Sequence, residues 1–278
     1  MELFATTSFE ISRLITQNYS TSFSMATRMF GREVREAIYS IYGFVRLADE
    51  IVDSFHGFDK KNLLQKFESD YYEACRENIS TNPVLYAFQL TVKKYGISDL
   101  YVQAFLQSMK FDLEKSSYGS KSEMNEYIYG SADVVGLMCL RVFCNGNEKL
   151  FKELEIPAMK LGSAFQKVNF LRDLKNDIES LGRNYFPEIG DNMLNENIKQ
   201  KIITEIESDF SIARQGITKL PGRSKFAVLI AYYYYKRLLE KIKLTPAGTI
   251  LETRVRVSNI RKLALLLKAT FVYKLRLV

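Results

Sequence analysis

The chain has 278 residues, 47% of them apolar, with 17 Tyr, 19 Phe and no Trp. That length allows one large domain or two small ones, and five Pro against 14 Gly favours long helices over many short strands and turns. The net charge of +7 suits anionic partners, while Cys75, Cys139 and Cys144 lack metal-ligand spacing, which argues against a disulfide framework and for a reducing compartment.

The N-terminal MELFATTSFEISRL carries acids and no long apolar core, so it does not read as a secretory signal. Apolar residues at helical spacing predict helices over 8–17, 20–28, 33–55, 60–78, 83–95, 99–115, 123–143, 149–181, 193–217, 222–243 and 256–275. Gly31, Gly57, Asn82-Pro83, Gly96, Gly119, Gly146, the 182–187 stretch, Gly222 and Pro246-Ala247-Gly248 mark the breaks. There are no repeats and no low-complexity linker, so one all-α domain over 1–278 is expected. The longest apolar runs, such as 226–235, fall short of the roughly 18 residues of a spanning helix. The expected location is cytosolic, or peripheral on a membrane.

The most informative feature is a repeated chemistry. In AIYSIYGFVRLADEIVDSF, Asp49 and Asp53 lie four apart on one helix face, with Arg46 three residues before Asp49. Ile38, Ile41, Phe44, Val45, Leu47, Ile51 and Val52 make this helix apolar almost all round, hence largely buried. Two carboxylates at that spacing repel, and unpaired buried charge costs far more. A cation must compensate them: Arg46 in part, a hard divalent metal more fully. In LGSAFQKVNFLRDLKNDIESLGRNYFP, Gln166, Asn169 or Phe170, Asp173 and Asp177 form a second polar stripe on an apolar helix, flanked by Arg172 and Lys175.

Counting prunes the alternatives. A di-iron bundle wants two Glu-x-x-His motifs, and the chain has one His, His56, which reads as a solvated loop residue rather than a triad base. Zinc-type Cys/His clusters and a GxxxxGK[ST] phosphate loop are both missing from the sequence. A basic helical nucleic-acid binder would cluster Lys and Arg without acidic pairs in apolar helices, so no nucleic-acid partner is expected. Oxygen-ligated Mg²⁺ remains, because it takes few carboxylates and completes its shell with waters and substrate phosphates.

These blocks resemble the squalene/phytoene synthase family, and within it bacterial phytoene synthases. The resemblance covers nearly the full length: YSTSFSMATRMF (19–30), YGFVRLADEIVD (42–53), YIYGSADVVGLMCL (127–140), FQKVNFLRDLKNDIESLGRNYFP (165–187) and, more weakly, ETRVRVSNIRKLALL (252–266). It implies an isoprenoid-synthase helical bundle with a central substrate channel. Asp49, Asp53, Asp173 and Asp177 match the metal-binding acids, with Mg²⁺ the implied ion and Mn²⁺ the alternative. Arg46, Arg172, Ser20 and Ser22 match diphosphate-binding positions, as do the later Tyr235 and Arg254. Tyr42, Gln166 and Asn169 match polar pocket positions, Tyr42 among the catalytic ones, and Phe23 and Tyr127 fall in blocks that line the prenyl channel. The chain departs from the family at Glu50, where many members carry Asp, and at Thr21, where some carry Lys. No long C-terminal anchor of the kind in eukaryotic squalene synthases is expected.

The resemblance implies condensation of two geranylgeranyl diphosphates to phytoene through a cyclopropyl diphosphate, a first step of carotenoid biosynthesis, with no NADPH expected. The same chemistry on farnesyl diphosphate, giving squalene, dehydrosqualene or presqualene diphosphate, is the alternative. A non-catalytic assembly factor would be signalled by a lost aspartate, and all four are present. Phe23, Tyr42, Tyr127, Tyr129 and Phe165 are the aromatic faces proposed to meet carbocations. Gly130, Ala132, Gly136, Gly162 and Ala164 either make room for prenyl tails or let helices pack closely. The tail 260–278 reads as a last core helix with a solvated basic edge, and an acidic bilayer surface is the other reading.

Overall fold

Polar caps set where many of the helices begin. In the computed structural model, which describes residues 1–189 and 194–275, the side chains of Ser20, Asp59, Asn82, Ser120, Asn147 and Asn195 each accept a backbone N–H in the first turn of the helix that follows. Pro83 stands at the first position after Asn82, where its missing donor costs nothing. The helices are α1 (Glu2–Tyr19), α2 (Thr21–Thr27), α3 (Arg32–Asp53), α4 (Lys60–Glu77), α5 (Pro83–Tyr95), α6 (Asp99–Glu114) and α7 (Lys121–Ile128). A π-helical turn, Tyr129–Asp133, joins α7 to α8 (Val134–Cys144). Then come α9 (Glu148–Glu179), α10 (Glu196–Ile217), α11 (Gly222–Leu244), α12 (Ala247–Glu252) and α13 (Asn259–Lys274). There is no strand among the described residues, and one isolated bridge pairs Ser117 with Asn184.

Two apolar clusters hold the bundle. Phe44 of α3 is fully buried and stacks on Phe88 at 4.0 Å and on Phe67 at 5.2 Å, joining α3 to α5 and α4. The other cluster gathers α9, α10 and α11 around Phe170, Phe210 and Leu239. The two long acid-bearing helices, α3 and α9, thus each anchor one cluster.

Most expected helices are present, with three differences. The first helix begins at Glu2, not at residue 8. Its buried face consists of Ser8, Ser12 and Thr16, each bonded back to the carbonyl four residues earlier, so a packed face reads as polar. The expected 123–143 helix is interrupted by the π turn. The Pro246-Ala247-Gly248 break instead starts α12, with Pro246 at its N-cap. Position 193, where the ninth expected helix was to start, and positions 276–278 of the tail lie outside the described residues.

The 121–144 helix is long and apolar enough by length and composition to cross a membrane, contrary to the expectation that no segment was, yet 56% of its apolar 18-residue window is buried inside the bundle. The mid-helix glycines serve close packing. A Cβ at Gly162 would lie 2.7 Å from the Ala132 carbonyl oxygen, and one at Gly130 would lie 2.5 Å from that of Ala104.

Candidate active site

The last turns of α3 and the second half of α9 carry the two acidic pairs. Arg46 spans Asp49 and Glu50 with its two terminal nitrogens and covers the Tyr19 ring at 4.4 Å. Its buried Nε finds no acceptor among the described residues. On α9, Arg172 pairs with Asp173, its Nε donating to Oδ1 at 3.0 Å. From beyond α12, Arg254 reaches the same carboxylate, Nε to Oδ1 at 2.6 Å. The loosely patterned C-terminal block therefore delivers its arginine to the second acidic pair.

The two pairs share one electrostatic environment. Burial pushes the Asp177 carboxyl up to about 7, and the negative charges of Asp173 on its own helix and Asp53 on α3 add to the shift. Asp49 is raised in the same direction, first by burial and then by Asp53, against the pull of Arg46 and Arg183. Four carboxylates so placed favour a proton or a cation.

Aromatic rings flank them. Phe23 of α2 stacks on Tyr42 of α3 at 4.9 Å, and Ser20, which caps α2, also interacts with the Tyr42 hydroxyl, whose pKa burial pushes up to about 12. On the α9 side, Phe165 stacks on Tyr235 at 3.9 Å, and the Tyr235 hydroxyl donates to Asn169 Oδ1 at 3.2 Å. Gln166 lies 3.5 Å from the Ser131 hydroxyl. Asn169 is half-buried and Phe170 is core, so Asn169, not Phe170, continues the polar stripe. Ser22 is half-buried one residue before Phe23, and Tyr129 lies exposed.

Tyr127 is tied into a network that sequence reasoning did not assign. Its hydroxyl donates to Asp112 Oδ2 at 2.8 Å, and that of Tyr185 donates to Oδ1 at 3.2 Å. Arg183 is the hub. Its Nη1 bonds Asp53 Oδ1 at 2.7 Å, and its Nη2 donates to the carbonyls of Asp112 at 2.9 Å and Val52 at 3.4 Å. Burial raises the Asp112 carboxyl to about 7, with Arg183 and Tyr127 opposing. The missed signal lies in α6: Phe105, Ser108, Met109 and Asp112 share its buried stripe, so an acid falls where apolar residues are expected. Behind Arg183 a surface cavity of about 450 Å³ is lined by the exposed His56 together with Lys60 and Lys115.

The donors suit a hard divalent ion. Among the described residues no three His, Cys, Asp or Glu side chains converge into a closed cage, and Mg²⁺ needs only one or two carboxylates when waters and phosphate oxygens complete its shell.

The family model described as Squalene/phytoene synthase matches residues 16–190. The chain is 27% identical to a 15-cis-phytoene synthase of Pantoea ananas, over 90% of this chain and 87% of that one. It is 26% identical to a chloroplastic phytoene synthase of Narcissus pseudonarcissus, covering 91% of this chain but only 63% of the plant protein's length. In three dimensions it resembles a dehydrosqualene synthase, with a TM-score of 0.81 at 19% identity over 97% of this chain and 98% of that one. It also resembles a squalene synthase of Alicyclobacillus acidocaldarius, with a TM-score of 0.75 at 20% identity over 86% and 94% of the two chains.

Proposed function

The chain belongs to the squalene/phytoene synthase family, and from that membership we propose that it condenses two geranylgeranyl diphosphates head to head to give phytoene. The observation that carries this reading is the placement of the acidic pair of α3 beside that of α9, where the Asp53 charge adds to burial and Asp173 in raising the Asp177 carboxyl, with each pair bordered by arginines. Such an arrangement binds a metal-complexed diphosphate.

Asp49, Asp53, Asp173 and Asp177 would hold Mg²⁺, which when bound supplies positive charge to the leaving diphosphate. Arg46, Arg172 and Arg254 offer forked donors that match phosphate oxygens two at a time. In the reaction the donor's C1–O bond breaks, its electron pair leaving on diphosphate. The acceptor's double bond supplies the pair for the new C–C bond, and loss of a proton closes the cyclopropane. The second diphosphate then leaves in the same way, and a final proton loss ends the sequence without a reductant. The stacked pairs Phe23–Tyr42 and Phe165–Tyr235 present ring faces to the cations. Each is worth about 0.5–2 kcal/mol and offers a carbocation nothing to react with.

The test is a paired incubation of purified protein with Mg²⁺ and either geranylgeranyl or farnesyl diphosphate, without NADPH, followed by mass spectrometry of the extracted hydrocarbons. A hydrocarbon built of two geranylgeranyl units is expected. Product from the farnesyl tube alone would replace this substrate assignment with the shorter one. Silence in both tubes, with NADPH then added, would refute the catalytic reading.

A further inference from the structure

The last helix keeps its largest apolar side chains outside. Ile260, Leu263, Leu267, Phe271 and Leu275 are 83%, 58%, 64%, 63% and 53% exposed. Their spacings of three, four and four residues put the first four on one side of α13, and Leu275 follows at its C-cap. The opposite side is fastened to the protein. Ala269 is fully buried with Ala26 of α2 and Ile230 of α11, and Leu266 packs against them. The Tyr273 hydroxyl donates to the Gly222 carbonyl at 3.2 Å, and Lys262 reaches the Thr21 hydroxyl at 3.1 Å. The expectation of a core helix with a solvated basic edge is therefore half right: one side packs through Leu266, Ala269 and Tyr273, and Leu263, Leu267 and Phe271 face out.

We propose that this outward face of α13 is a docking surface for an anionic lipid bilayer. A row of large apolar residues on a helix that is already packed on its other side is an unsatisfied surface. Its charge selects the occupant. Asn259–Lys274 contains Arg261, Lys262, Lys268 and Lys274 and no Asp or Glu. A second copy of the chain packed through this face would bring two such basic, acid-free helices together, whereas acidic headgroups complement them. An amphipathic helix lying in the interface with apolar side chains among acyl chains and lysines at headgroup level satisfies both features at once. The position also serves the proposed reaction, on which the argument does not depend: α13 rests on α2 and α11, the helices that carry Phe23 and Tyr235.

The chain has no Trp, so Phe271→Trp makes a single-tryptophan protein whose emission reports this face alone. Full-length F271W, free of substrate, is mixed with phosphatidylcholine vesicles containing about a quarter phosphatidylglycerol, and with pure phosphatidylcholine. The expected result is a blue shift and co-sedimentation with the anionic vesicles only, weakened about fivefold by Lys274→Gln. A Leu267→Glu, Phe271→Glu double variant should stay in the supernatant with unchanged circular dichroism and unchanged turnover in detergent. Emission indifferent to anionic vesicles would overturn the proposal. So would light scattering that shows a dimer which the double variant splits, with vesicle binding unaffected, because a second copy would then be the occupant. Because binding is read without substrate, a failed condensation assay leaves this outcome distinct.

Discussion

Arg183 serves the carboxylate of Asp53, the hydroxyl of Tyr185 and the carbonyls of Val52 and Asp112 from one guanidinium, and pairs at 3.6 Å with the carboxylate of Asp112. A lysine carries the same charge without the fork. Arg183→Lys should therefore leave buried acceptors unpaired, at about 1–3 kcal/mol for each group, and should loosen Asp53. A lower melting temperature and a several-fold higher Mg²⁺ requirement for turnover are expected. An unchanged Mg²⁺ titration would show that Arg183 does not position Asp53.

Asp133 offers a cleaner titration. It is buried, accepts the Ser163 hydroxyl at 2.7 Å, and burial lifts its carboxyl to about 7 against the pull of Lys160 and Lys167. A carboxyl raised in the folded state adds stability in full below its unfolded value near 4, and that contribution is lost as pH climbs toward 7. Asp133→Asn should melt like the parent at pH 4 and above it at pH 8, by on the order of 2–4 °C for each kcal/mol gained. A gap that does not widen with pH would refute the assignment. Both residues escaped sequence reasoning for the same reason: an isolated acid or arginine reveals its partners only after chain segments far apart in sequence meet. The repeated DxxxD spacing was legible because each pair is local.

Among the elements, the helices whose ends carry Asn, Ser or Gly signals were readable nearly to the residue, as α5 shows from Pro83 to Tyr95. The misses have physical causes. The buried hydroxyl face of α1 lacks apolar periodicity, and α12 begins at a proline that reads as a stop. The π turn adds one residue to a helix whose sequence pattern cannot show it. The glycines were ambiguous between making a channel and making a close crossing, and backbone distances decide. Replacing Gly162 with Ala gains about 1 kcal/mol of helix propensity. It also drives a Cβ to 2.7 Å from the Ala132 carbonyl, a backbone atom that cannot swing aside. Overpacking of this kind costs about 1–3 kcal/mol, so Gly162→Ala should lower stability in a denaturant titration. A gain would mean that α9 and the π turn are free to separate.

At the scale of the whole molecule, the all-α bundle followed from low proline, short breaks and two apolar helices bearing acids. Which carboxylate meets which arginine did not, because it depends on how α3, α9 and the 253–258 segment are stacked. A folded site with this charge pattern should respond to ligands globally. Mg²⁺ together with a non-ionising prenyl diphosphate analogue should raise the melting temperature, since whatever binds only the native form stabilises it by mass action. Chelator should abolish turnover while leaving helical content intact, and activity that survives thorough chelation would dismiss the metal assignment.

Arg46, Arg172 and Arg254 are already engaged with Asp49 and Asp173, so the protein supplies its own counterions. A bare diphosphate that recruited those guanidiniums would strand the aspartates, and a bare cation drawn to the aspartates would strand the guanidiniums. Only the two arriving together let every charge change partner without going unpaired. Cation and anion should thus behave as heterotropic ligands with reciprocal positive coupling, each binding weakly alone and each tightening the other by the same factor.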